Sequence, residues 1–249
     1  MSQPTRADRR RQSRGGAAPP PRRDPMTIVY AAVGVAVVAV IAVFAVMNWQ
    51  HRQAVVAAYA TPTPGASPAS SPIPLVDGQP VGKAYFTAKV QDMPKGGLGQ
   101  PVDGITCGGM EYSTLHIHTH LALFYDGKQL QIPRLIGGAP SAQGGCLYWI
   151  HTHFPDGIIH VESPQLEAPE GGPFTLGMLF DIWGKSLGDT GAAGLNGPVV
   201  AYVNGTKYDG DLRQIPLRMG QQIVLEVGSP VVPPPAYILP ADDLATPSP

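Results

Sequence analysis

The sequence predicts an α+β fold, mostly antiparallel sheet with one main helix, preceded by a single transmembrane helix. Three observations carry this. An uncharged span long enough to cross a bilayer stands near the N-terminus. Turn signals divide the later chain into short alternating runs, and one stretch among them repeats its apolar residues with helical period. Hairpins followed by one helix and more strands fit a β-grasp-like arrangement.

Seven arginines precede residue 24, mixed with Pro, Gly, Ser and Ala. Such a segment cannot build a core, so residues 1–26 are expected to form a disordered basic tail. Residues 27–47 carry no charge and are dominated by Val and Ala. At 1.5 Å per residue they span a hydrocarbon core of about 30 Å. A cleavable signal peptide has a shorter apolar stretch and a small-residue cleavage site. Val46-Met47-Asn48-Trp49-Gln50-His51-Arg52 offers no such site, so the span reads as an uncleaved anchor with Trp49 at the outer interface. The arginine excess keeps the N-terminus cytoplasmic. The main domain is then extracytoplasmic and the protein a single-pass component of the plasma membrane, with lipid as its partner along that helix.

Residues 48–80 read as a juxtamembrane segment and a Pro/Ser/Thr-rich stalk. The folded domain is expected over 81–239, with 240–249 a loose tail. Ten Lys and Arg stand against sixteen Asp and Glu after the basic tail. That balance gives no nucleic-acid footprint. The chain shows no internal repeat beyond the recurring H-x-H pattern.

Thr114 to Tyr125 alternates as a strand should, with Leu115, Ile117, Leu121 and Leu123 on one face. Asp126-Gly127 is a hairpin turn leading into Lys128 to Ile132. Tyr148 to His153 and Ile158 to Ser163 form a second hairpin across Phe154-Pro155-Asp156-Gly157. A helix follows, with Thr175 as N-cap. Leu176, Leu179, Phe180 and Trp183 form its apolar stripe, and Gly184 ends it. Val199 to Val203 turns at Asn204-Gly205 into a short strand, and Gln222 to Val227 is the last strand.

Cys107 and Cys146 bracket the first of these strands. Outside the membrane two cysteines are expected to pair as a disulfide, stabilising the fold by roughly 4 kcal/mol in the chain-entropy view. The competing reading makes them thiolate ligands for a soft metal, with Met93 or Met110 nearby.

The strongest chemical signal is histidine. Six of the seven fall within 45 residues, as His116, His118 and His120, then His151 and His153, then His160. Imidazole is the commonest metal ligand, and residues at i, i+2 and i+4 of a strand share a face. If Phe154 and Gly157 close a two-residue turn, His151 opposes His160 and Trp149 opposes Glu162. One face then carries His151, His153, His160 and Glu162. A type I turn with a glycine bulge shifts the register by one and sends His160 to the other side. The first register separates polar from apolar residues more cleanly, and a buried face sets register. The faces of the two histidine groups are expected to lie against each other, because each hairpin keeps its apolar residues on the opposite side.

These residues imply a transition-metal site for copper or zinc, since nitrogen-rich sites suit such ions. The competing readings are a metal-dependent hydrolase or lyase and a pH-sensitive module without metal. Known H-x-H patterns fit poorly. His116-Ile117-His118-Thr119-His120-Leu121 lacks the aspartate of H-x-H-x-D-H, and His151-Thr152-His153 lacks the nearby glutamate of a cupin. An amidohydrolase barrel needs more residues. An α-type carbonic anhydrase also draws three histidines from adjacent strands, but nothing else of that family is present. There is no nucleophile elbow and no phosphate loop, so an enzyme is not the favoured expectation.

The run Cys146-Leu147-Tyr148-Trp149-Ile150-His151-Thr152-His153, with Gly157-Ile158-Ile159-His160-Val161-Glu162-Ser163-Pro164 and Phe174-Thr175-Leu176-Gly177, resembles a group of membrane-anchored or secreted bacterial proteins. Ile117-His118-Thr119-His120-Leu121 belongs to the same resemblance, which covers about residues 105–235. It implies no activity and adds only to the extracytoplasmic assignment.

Overall fold

The computed structural model describes residues 25–59, 71–86, 96–109, 111–140 and 144–244. The expected basic tail up to residue 24, the stalk over 60–70, Met93, Met110 and the last five residues lie outside them. The chain divides into two compact units, Met1–Gln50 and His51–Pro249.

Helix α1, Pro25–Tyr59, is 35 residues long. Within it Ala32–Ala57 is long and apolar enough to cross a membrane. The helix continues well past Met47, through residues expected to be juxtamembrane, because no Pro or Gly interrupts the chain until Pro62.

The second unit is built on one seven-stranded sheet. Its strands are β1 (Leu115–Tyr125), β2 (Lys128–Leu130), β3 (Ile150–His151), β4 (Ile158–Ser163), β5 (Val199–Val203), β6 (Thr206–Tyr208) and β7 (Gln222–Val227). They lie in the order β6-β5-β7-β1-β4-β3, with β2 also pairing β1. Every pair is antiparallel except β7 with β1, which runs parallel from Gln222↔His120 to Val227↔Tyr125. Asp126-Gly127 and Asn204-Gly205 take positive φ at both residues, 48° and 73° and then 51° and 78°. That backbone twist is the one two-residue hairpins require. The architecture is α+β; the finer β-grasp expectation is not confirmed.

Alternation along the strands separates two apolar layers. Leu115, Ile117, Leu121 and Leu123 of β1 pack with Tyr148, Ile150, Ile159, Val161, Ile223 and Leu225 in the main core. Helix α2 (Leu176–Trp183) closes that layer with Leu176, Leu179, Phe180 and Trp183. Thr175 occupies its N-cap position, but its side chain makes no capping hydrogen bond, and Gly184 ends the helix with φ 69°. On the other sheet face a smaller cluster joins Ala122, Phe124, Ile158 and Val224 to Leu75, Tyr237 and Leu239.

Those last three residues belong to a strap. Ile73–Pro74 pairs in parallel with Tyr237–Ile238, and a 3-10 turn, Asp242–Leu244, follows. Paired backbone therefore stands ahead of Val81, and a helical turn follows Leu239. The first extension buries Leu75 in the smaller cluster, and the second buries Asp243.

Cys107 and Cys146 form a disulfide, and it ties the edge strand Cys107–Gly108 to Cys146–Tyr148, the middle strand of a small three-stranded sheet. No free cysteine exists, so the thiolate-ligand reading falls.

Candidate metal centre

Three neighbouring strands build the site. In the β1/β4/β3 part of the sheet, His118 pairs with His160 and His160 with His151, giving a cross-strand row of three imidazoles. One step along, His116 pairs with Glu162. The His151↔His160 pairing is the register of the two-residue turn, and it puts His160 on the same face as His151. His153 lies just beyond β3, with its ring 4.4 Å from that of His160.

The two histidine groups do not face each other across a gap between hairpins. They stand side by side on one sheet face, because β3 and β4 extend the same sheet as β1. That face carries the histidines at one end and the smaller apolar cluster at the other.

The donor atoms form two overlapping sets: His116, His118, His160 and Glu162, and His151, His153, His160 and Glu162. Within each set they lie within 4.8 Å of one another. His116 Nε2 is 3.0 Å from His118 Nε2 and 3.2 Å from Glu162 Oε1. His160 Nδ1 is 3.5 Å from the same oxygen. On the other side His151 Nε2 is 3.1 Å from His153 Nε2 and 4.0 Å from Glu162 Oε2. Four ligands placed tetrahedrally at zinc–nitrogen distance are about 3.3 Å apart. The shorter separations match that edge, so these groups can hold a metal ion.

Backbone carbonyls fix two of the rings. His118 Nδ1 donates to the Asp243 carbonyl at 2.7 Å, and His151 Nδ1 donates to the Tyr148 carbonyl at 2.8 Å. A carbonyl only accepts, so the proton sits on Nδ1 and the Nε2 lone pair is turned toward the cluster. Such outer hydrogen bonds set the tautomer and aim of metal-ligating histidines.

Burial sets the electrostatics. His151 is 1 % exposed, and desolvation lowers its pKa to about 4. His160 is lowered to about 2 by burial first and by its neighbours His118, His153 and His116 next. Burial also lowers His118. These three rings are neutral at physiological pH, the state that coordinates metal. Glu162 is 4 % exposed, with a nitrogen of His116, His151 and His160 each within 4.0 Å of its carboxyl oxygens. Among the described residues its Oε2 has no hydrogen-bond partner.

His120 is not brought into either set. It lies one pleat further along β1, opposite Ile158 rather than His160. Its Nε2 donates to the Asp156 carbonyl at 3.1 Å, and its ring packs against Tyr237. Sequence reasoning missed the outer contacts: the Asp243 and Tyr148 carbonyls, and Glu111, whose Oε1 is 3.5 Å from His153 Nε2. Asp243 carried no local signal, because only the strap brings it to the sheet.

Comparison with protein-family models, with curated proteins and with solved structures finds no match.

Proposed function

We propose that this chain is a membrane-anchored, extracytoplasmic protein that captures, senses or delivers a transition metal, copper or zinc. His116, His118, His151, His153, His160 and Glu162 are its ligands, and His120 is a structural residue beside them. The observation that carries the reading is Glu162. It is a buried carboxyl group whose neighbours His151 and His160 are held neutral by burial, so those two rings bring it no positive charge, and a buried ionised carboxylate without one is costly. A bound cation supplies that charge, and the freed Nε2 lone pairs point to where it would sit.

The same observation weighs against a pH-sensing module. Rings lowered to about 4 and about 2 do not titrate between pH 5 and 8, where a histidine switch works. Nitrogen and oxygen donors with the cysteines locked in a disulfide favour Cu(II) or Zn(II) over a soft Cu(I) site. The disulfide suits an oxidising compartment, the apolar helix supports an anchor, and the arginine-rich tail supports a cytoplasmic N-terminus.

The test is elemental analysis of the full chain in detergent, cleared with chelator, reloaded with Zn(II) or Cu(II) and dialysed. The double variant His118→Ala, His151→Ala removes one ligand from each set and should lose nearly all retained metal. His51→Ala, whose ring lies 3.4 Å from Glu167 and outside both sets, should retain it. Equal metal in the double variant and the parent protein rejects the site.

A further inference from the structure

The cluster offers more donors than one tetrahedral ion uses, and they are not arranged around one point. Two H-x-H pairs each bring their Nε2 atoms together, at 3.0 Å for His116 and His118 and 3.1 Å for His151 and His153. Between the pairs stands a single carboxylate. Its Oε1 is 3.2 Å from His116 Nε2 and 3.5 Å from His160 Nδ1. Its Oε2 lies toward the other pair, 4.0 Å from His151 Nε2, and has no hydrogen-bond partner among the described residues. We propose that the site is dinuclear, with two metal ions bridged by the Glu162 carboxylate. The proposal rests on the metal-binding reading above and adds the second ion.

Strand geometry explains why one residue can serve both ions. Glu162 pairs with His116 across β1/β4, and its backbone N–H donates to the Trp149 carbonyl at 2.7 Å on the other side. It therefore sits on the central strand, with one H-x-H pair to either flank. A carboxylate bound through one oxygen to each ion is the usual support for ions about 3.5–4 Å apart. His160 lies on the same strand, with its ring 4.4 Å from those of both His118 and His153.

The two halves are unequal. His160 Nδ1 neighbours Oε1, so the His116 side gathers three imidazoles and one carboxylate oxygen, a complete tetrahedral set. The His151 side has two imidazoles and Oε2, which leaves a position for water or an exogenous ligand. Two divalent ions against one bridging carboxylate leave a large positive charge. Further carboxylates flank the cluster at opposite ends: Asp243 Oδ1 lies 3.4 Å from His118 Nδ1, and Glu111 Oε1 lies 3.5 Å from His153 Nε2.

The experiment is a titration of the chelator-cleared full chain in detergent with Cu(II). Bound copper is counted by elemental analysis and the electron paramagnetic resonance signal is integrated on the same samples. The expected result is saturation at two ions per chain. At saturation, magnetic coupling through the shared carboxylate should bring the integrated signal well below the copper count. His153→Ala should then bind one ion with full signal. Saturation at one ion overturns the second site and leaves the metal-binding function standing. No binding at all rejects that function as well. Two ions with a full, uncoupled signal, or two ions still bound by His153→Ala, place the second ion elsewhere and overturn the bridge.

Discussion

His118 and His120 stand two residues apart on one strand and share a face, yet their partners separate their roles. His118 keeps its Nε2 toward three other donors, whereas His120 is fully buried, with Nε2 on a backbone carbonyl and an aromatic ring against it. Desolvation lowers His120 from 6.5 to about 4. The unfolded chain therefore takes up a proton first as pH falls through 6.5. Stability is intact above that value and declines until the folded state protonates near pH 4. The loss from this one group reaches about 3 kcal/mol. His120→Gln should flatten the acid side of the stability curve, measured by urea unfolding of metal-free protein with chelator present. An unchanged slope between pH 6.5 and 4 would show that the acid sensitivity arises elsewhere. The i, i+2 spacing marked all three histidines of this strand as ligand candidates because spacing reports a face and nothing finer. Which of them reaches the cluster depends on the residue paired opposite, His160 for one and Ile158 for the other.

At the level of the element, the β3–β4 hairpin holds the site together. Asp156 accepts from its own turn at Ile158 N and from the strap at Gly78 N, 3.0 Å and 3.3 Å respectively. Gly157 has φ 87°, and a Cβ there would lie 2.4 Å from the Leu121 carbonyl oxygen. Gly157→Ala faces both an unfavourable backbone conformation and a backbone collision. It should cost about 1–3 kcal/mol from the conformation alone, with a further loss if the hairpin shifts off β1. Thermal unfolding reads this directly, and a melting temperature equal to the parent's would mean the turn has another conformation available. The hairpin and its register were legible because only one register puts His160 and Glu162 on the face of His151, with Ile159 and Val161 on the face of Ile150. The parallel pairing of β7 with β1 was not legible. No turn links those strands, and β2, β3, β4, α2, β5 and β6 intervene in the chain, so no local signal specifies the neighbour.

At the scale of the whole chain, the apolar helix and the tail before it set the expected topology. Protease added to intact cells should remove the disulfide-bonded domain and leave an N-terminal tag protected. A cleaved tag with an intact domain would reverse the orientation. The helix was legible from composition, because twenty-one uncharged residues leave few alternatives. The strap was not, because Ile73 to Leu75 lie in a proline-rich stretch that reads as stalk, and no turn links them to Tyr237 to Leu239 at the far end of the expected domain. Their contribution comes from each other, through a parallel pairing between residues near opposite ends of the domain.

That strap orders events in the protein's biogenesis. The proposed ligands emerge from the ribosome in sequence from His116 to Glu162, but the carbonyl that sets the tautomer of His118 belongs to Asp243. Tyr237, which packs on His120, is also among the last residues of the fold to be made. A nascent chain can thus pair its hairpins before its site is complete. On the proposed metal-binding reading, tight loading would follow docking of the C-terminal segment, and chains truncated before Tyr237 should form much of the sheet yet compete poorly for the ion.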